Sequence, residues 1–253
     1  MRKIFILLFL CLFTTFSFGQ VRFIHVLVAL CDNEHQGIVK VPAKIGNGKD
    51  PFNNLYWGCA YGVKTYFKNQ SDWKMVKSIA KPSSEVLERV IFKHASADVY
   101  LVADAYDGEL IKNTTIDFFK FSAGLEKKSI MVDSVRIGIG GNADLICYVG
   151  HDGLMEFSLE KISKKSDEKK REAIILACAS KDFFGSYLKQ TGAYPLLWTS
   201  NLMAPEAYTL YAAVAAWIKK QSPEEVREQA AQAYNKYQKC GINGARRLLV
   251  TGW

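Results

Sequence analysis

Beyond residue 19 the 253-residue chain has no apolar run near the ~20 residues that a membrane-spanning helix requires, so no later segment reads as a span. It has no internal repeat and no low-complexity stretch, which excludes a solenoid. Histidine is scarce, with four in all, and none stands in a His-Glu-x-x-His pattern, which excludes a helix-borne zinc-peptidase site. The glycine-rich stretch Gly46-Asn-Gly-Lys-Asp-Pro51 is not a phosphate-cradling loop. Its glycine spacing is wrong and no Ser or Thr follows Lys49. No cysteine stands at the end of the N-terminal apolar segment, so a lipid anchor is not expected there.

That N-terminal segment reads as a cleavable signal peptide over residues 1–19. Arg2-Lys3 supply the positive start, Ile4 to Phe13 the apolar run, and Ser17-Phe18-Gly19 the small residues of a cleavage site. A mature chain beginning at Gln20 is therefore expected outside the cytoplasm, secreted or periplasmic. Removing Arg2 and Lys3 takes the formal charge from +8 to +6. So modest an excess, partly confined to Lys161–Arg171 and Arg246-Arg247, reads as a solvated surface rather than a nucleic-acid footprint. Cys31, Cys59, Cys147, Cys178 and Cys240 remain, an odd number, so in an oxidising compartment at least one thiol stays unpaired within the chain.

With 49% apolar residues the chain can fill a substantial core, and its apolar runs are spaced as an α/β domain. Val21–Leu30 reads as the first strand, Asp98–Ala103 as a second, Ala143–Val149 and Ala173–Ala177 as two more, and Tyr194–Thr199 as the last. Continuous, β-branched runs of this kind suit strands buried on both faces of a parallel sheet. Residues 34–54 form a long loop of the kind that is either functional or disordered. Leu55–Phe67 is expected to be helical, as is Ile111–Phe121, and Ile130–Ile139 reads as an edge strand. Phe183-Phe184 is followed by a glycine-punctuated turn, and Lys164–Lys170 reads as an exposed charged tip. The C-terminal part, set off near Met203, is helical. Ser222-Pro223-Glu224-Glu225 supplies an N-cap, a proline at the first helical position and a capping-box carboxylate.

In open parallel sheets, sites form at the carboxyl ends of the strands. The third of these strands runs out through Val149-Gly150-His151-Asp152-Gly153 and the fourth through Leu176-Ala177-Cys178. Neighbouring strands would then bring an imidazole and a thiol to one edge, where the imidazole can take the thiol proton. An apolar block ending in His-Gly, followed by one ending in Ala-Cys, resembles the caspase, legumain and gingipain clan of cysteine peptidases. The match departs from that clan in Asp152, which separates His151 from Gly153, and in Leu176, where caspases carry Gln. It departs also in the 27 residues from 151 to 178, against about 50 in caspases.

The resemblance implies a three-layer α/β sandwich with a mostly parallel sheet in the order 2-1-3-4-5. The α/β domain would span 20–203, with 204–253 as helices packed on it. It implies a peptidase acting on a peptide or protein substrate, with Cys178 as nucleophile and His151 as base and then acid. Backbone N–H groups near Gly153 and Cys178 would stabilise the oxyanion, with Asp152 placed to orient the imidazole and Asp104, Ser200 and Asn201 near the substrate pocket. No metal or other cofactor, nucleic-acid partner or membrane span enters this reading. Two alternatives stand beside it. One is a metal-dependent hydrolase using Asp32, Asp104, Asp107 and His151 as hard oxygen and imidazole ligands. The other is a non-catalytic secreted binding protein that keeps the peptidase-like fold.

Overall fold

A computed structural model describes residues 21–161 and 163–253, and the expected signal peptide lies outside the described residues. The first strand, β1 (Arg22–Ala29), is buried over its last six residues, all of them apolar except His25. A long loop and a short helix, α1 (Val63–Lys68), lead to an antiparallel ladder of β2 (Trp73–Ala80), β3 (Val86–His94) and β4 (Val99–Tyr106). Helix α2 (Ile111–Ser122) then precedes the hairpin β5 (Lys127–Val132) and β6 (Val135–Gly140). Strands β7 (Leu145–Val149) and β8 (Glu172–Leu176), helix α3 (Ser180–Thr191) and strand β9 (Tyr194–Thr199) follow. The chain closes with α4 (Ala207–Ile218), α5 (Pro223–Gln238), α6 (Ile242–Leu248) and β10 (Leu249–Val250).

The central sheet has eight strands in the order β10-β9-β8-β7-β1-β4-β3-β2. Neighbours from β9 to β4 run parallel, while β10, β3 and β2 are antiparallel additions at the two edges. The sheet is therefore α/β and largely parallel, but its order is not the five-strand order expected. Edge strands account for the difference, and β2 carries Lys74, Lys77 and Ser78, which blunt an open edge.

Each face of the sheet is covered. Ile24, Val26 and Val28 of β1 join Phe67 of α1, Leu210 and Val214 of α4, and Val226 and Ala230 of α5 in one core. On the other face Leu27 and Ala29 join Phe118 and Phe119 of α2 and Phe184 and Leu188 of α3. Burying a side chain of that size contributes roughly 1.5–3 kcal/mol, so the two cores fix the sheet between its helices. Ser222 and Glu225 cap α5 reciprocally, as their spacing requires.

Three local expectations change. Leu55–Phe67 is helical only from Val63, because Asn54 ties the preceding turns to the end of β1. Its amide donates to the Cys31 carbonyl at 2.8 Å and its oxygen accepts the Cys31 N–H at 3.1 Å. The segment after Cys178 is the helix α3 rather than a turn. Gly185 faces the Trp198 ring, which a Cβ at this position would meet at 3.9 Å, and does not break the helix. Ile130–Ile139 is not a single edge strand. The chain reverses at Asp133, in the left-handed region with φ 51, and Ile137 and Ile139 pack the hairpin onto Val102 and Ile91 of the main sheet.

Candidate active site

The His-bearing and Cys-bearing segments leave adjacent parallel strands. Strands β7 and β8 pair from Leu145 opposite Glu172 to Val149 opposite Leu176, and the Gly150 N–H continues the ladder to the Leu176 carbonyl at 3.2 Å. Gly150 has φ +147, and a side chain there would meet the Ala29 carbonyl oxygen at 2.7 Å. Only glycine lets the chain turn between the ends of β1 and β8 and release His151 toward the sheet edge.

Beyond Leu176 the chain bends sharply into α3. Ala179 holds φ 45 and ψ 33, a left-handed conformation that L-residues adopt at a cost. A clamp beneath it holds the bend. Ser180 Oγ donates to the Ile175 carbonyl at 3.0 Å and accepts the Thr199 N–H at 3.0 Å, while the Thr199 hydroxyl donates to the Ala177 carbonyl. Cys178 sits at the apex. The Ala179 N–H binds the Asn201 carbonyl at 2.9 Å, so residues 200–203 lie alongside the bend as a strap.

His151 and Cys178 line one cleft of about 350 Å³. Ile38, Val39 and Val41 of the long loop form one wall, and Leu202, Met203 and Pro205 another. The thiol is partly buried and engaged by the strap. It donates to the Met203 carbonyl at 3.6 Å and accepts the Met203 N–H at 3.4 Å. Burial pushes its pKa above the ordinary thiol value, the Met203 N–H offsets part of this, and the Asp152 charge adds to it. In this resting arrangement Cys178 is a protonated thiol, not the thiolate that a neighbouring imidazole would favour. No hydrogen bond joins it to His151 among the described residues.

The imidazole is held from behind. Its Nε2 lies 2.7 Å from Oε1 of Glu156, which also accepts the Gly37 N–H at 2.7 Å. An ionised carboxylate can only accept, so Nε2 is the nitrogen that donates to Glu156. The Tyr148 hydroxyl donates to the His151 carbonyl at 2.8 Å and fixes the backbone below. Asp152, expected to orient the ring, instead turns inward. Its Oδ1 accepts the Leu154 N–H at 2.9 Å, and its buried Oδ2 has no partner among the described residues. Burial pushes this carboxyl up to about 7. Gly153 follows at the start of a 3-10 turn with the Phe157 ring against it, and it does not line the cleft.

The other expected site residues lie elsewhere. Asp104 is not at a strand exit but within β4, fully buried, where Arg89 grips it through Nε at 2.5 Å and Nη2 at 2.6 Å and His25 Nε2 lies at 3.0 Å. Its polarity is spent on that ion cluster. Ser200 donates to the Arg247 carbonyl at 2.7 Å, and it and Asn201 line a separate depression toward α6, though Leu202 and Met203 beyond them reach the cleft. Asp32 pairs with His35 at 2.9 Å, and Asp107 accepts the Glu109 N–H at 3.1 Å. The carboxylates proposed for a metal thus have separate local partners, and the described residues form no group of three metal-ligating side chains. All five cysteines of the described chain are free.

Glu156 and the strap carbonyl and N–H of Met203 escape sequence reasoning. The one signal for Glu156 is a carboxylate a few residues beyond the histidine in the same exit loop. Compared with protein-family models, with curated proteins and with solved structures, the chain finds no match.

Proposed function

We propose that this chain is a secreted or periplasmic cysteine-peptidase-like hydrolase, with Cys178 as nucleophile and His151 as its base. The observation that carries this reading is the delivery of both side chains to one apolar cleft from the ends of adjacent parallel strands. The likeness to the caspase-type clan gains support from the parallel strands taken alone. They run β4-β1-β7-β8-β9, which is 2-1-3-4-5 when only parallel strands are numbered.

In the proposed reaction the thiol turns from the strap to the imidazole, and its proton passes to Nδ1. Sulfur then attacks the peptide carbonyl carbon. The C–N bond breaks and the departing amine takes the proton from the imidazolium, leaving a thioester on Cys178. Water, deprotonated by His151, hydrolyses that ester and restores the thiol. The Cys178 N–H has no acceptor among the described residues, which leaves it free for the oxyanion. Glu156 acts as a positioning residue by fixing the imidazole tautomer.

A second reading has its own observation. The thiol raised in pKa and tied to Met203 suits a binding protein that keeps the fold without turnover. Hydrolysis of a mixed fluorogenic peptide library by the mature protein separates the two. The peptidase reading expects turnover lost in both Cys178→Ala and His151→Ala with the fold retained. Turnover that survives Cys178→Ala, or none while the cleft still binds peptide, decides against it.

A further inference from the structure

The cleft beside Cys178 has a chemistry that narrows what can enter it. Its lining is Ile38, Val39, Val41, Met155, Leu202, Met203 and Pro205 around Tyr56, Gly37, Gly150 and the His151–Cys178 pair. Among the described residues no Asp, Glu, Lys or Arg lines it. Val39 is 92% exposed and Leu202 67% exposed, so two aliphatic side chains stand open to water at the mouth. A volume of about 350 Å³ lies at the small end of the ~300–1,000 Å³ typical of ligand pockets. It suits a side chain and its adjoining backbone.

The nearest carboxylates, those of Glu156 and Asp152, do not line the cleft. Oε1 of Glu156 is engaged by His151 and Gly37, and the Asp152 side chain is sealed from solvent behind the cleft. Tyr56 is buried, with its phenol pushed far above its usual range by desolvation, and stays neutral. An ionised side chain placed here would lose its hydration without finding a partner in the lining. An apolar one would gain from every part of its surface removed from water. The difference sets specificity.

We propose, resting on the thiol-hydrolase reading above, that the cleft selects an uncharged apolar side chain on the residue carrying the scissile carbonyl. The long loop is then a specificity wall. Its Ile38, Val39 and Val41 are held over the site by the Gly37 N–H on the same Glu156 oxygen that positions His151. A peptide that fills the wall and a correctly aimed imidazole are thereby parts of one arrangement.

The test uses N-acetyl-Ala-Ala-X acyloxymethyl ketones with X as Leu, Phe, Asp or Arg. These alkylate an attacking thiol irreversibly, and intact mass together with peptide mapping locates the adduct. The expected result is adduct on Cys178 forming at least ten times faster with Leu or Phe than with Asp or Arg, a gap of about 1.4 kcal/mol or more. In Leu202→Lys, a change at an exposed position on the mouth, the Asp probe should gain on the Leu probe. Equal rates for all four probes, or a faster Asp or Arg probe, overturn the apolar preference while His151-dependent alkylation of Cys178 leaves the thiol site standing. No adduct on Cys178 from any probe, in a protein whose Cys178 still reacts with iodoacetamide once unfolded, overturns both.

Discussion

Glu156 receives the Nε2–H of His151 and the backbone N–H of Gly37 on a single oxygen, each at 2.7 Å. One side chain thus ties the imidazole to the loop that walls the cleft. A charge-assisted bond of this kind contributes about 1.5–3 kcal/mol, enough to hold one tautomer against the other. Glu156→Ala should therefore lower the His151-dependent part of Cys178 alkylation at least tenfold and shift its pH profile. Glu156→Gln keeps an acceptor for both donors and should recover part of the rate. A purely structural Glu156 would leave that pH profile unmoved, so alkylation rates between pH 6 and 9 in the three proteins give the answer.

The thiols themselves should rank by exposure and by their surroundings. Cys240 is exposed, Cys59 and Cys178 are partly buried, and Cys31 and Cys147 are fully buried. Burial pushes Cys31 up to about 11, and Cys147, surrounded by apolar strand neighbours, is raised further. With iodoacetamide at pH 7.5 the folded protein should label first at Cys240, slowly at Cys178, and not at Cys31 or Cys147. Labelling of Cys178 should climb with a midpoint above the ~8.5 of a free thiol. A midpoint below that value would show the imidazole already holding a thiolate, contrary to the Met203-bound arrangement.

The strands around the site were legible because a strand buried on both faces must be apolar throughout. Leu145–Val149 falls within the predicted run and Glu172–Leu176 overlaps Ala173–Ala177 with a shift of one residue, and their His and Cys exits follow from chain direction alone. What sequence could not supply was side-chain aim. Asp152 and Glu156 are both carboxylates in the His151 exit loop, and only the fold turns the first inward and the second onto the ring. Asp104 reads as a strand exit because apolar residues stop before it. Yet β4 runs on to Tyr106, carrying a charge that Arg89 neutralises from the neighbouring strand. Likewise Arg171 read as part of the solvated stretch Lys161–Arg171. It is buried, donating to the Gly141 carbonyl and to Asp167. Long-range partners of this kind leave no local pattern.

The Arg89–Asp104–His25 cluster carries its own expectation. Burial alone would raise the Asp104 carboxyl, but the hydrogen bonds from Arg89 and His25 outweigh it and hold the group below its usual range. Removing one partner of a buried pair costs about 3–5 kcal/mol, because the other charge stays desolvated. Asp104→Asn should therefore lose stability on that scale near pH 7. The depressed carboxyl adds stability above the unfolded value of about 3.9 and loses it as pH falls through its lower folded value. Urea titrations at pH 7 and pH 3 should show the gap between wild type and variant narrowing in acid. A constant gap would mean that packing, not charge, sets the cost.

Asp152 should behave in the opposite sense. Its carboxyl is buried, its Oδ2 is unpartnered and its folded pKa is pushed up to about 7, against about 3.9 when unfolded. The folded state therefore holds this proton more tightly than the unfolded one. The stability so gained is fully present below about pH 3.9, shrinks as pH rises between the two values at up to about 1.4 kcal/mol per unit, and is gone above about 7. Asp152→Asn cannot ionise, and it keeps an acceptor for the Leu154 N–H that caps the turn. Relative to wild type the variant should gain stability from pH 5 to pH 8, by an amount on the order of a few kcal/mol. The same substitution removes a negative charge that raises the Cys178 thiol, so the midpoint of Cys178 alkylation should fall as well. Urea unfolding and alkylation can be followed on the same two proteins. Parallel stability curves for wild type and variant from pH 5 to pH 8 would show that Asp152 ionises freely in the fold, and an unmoved alkylation midpoint in the variant would show that its charge has no part in holding Cys178 protonated.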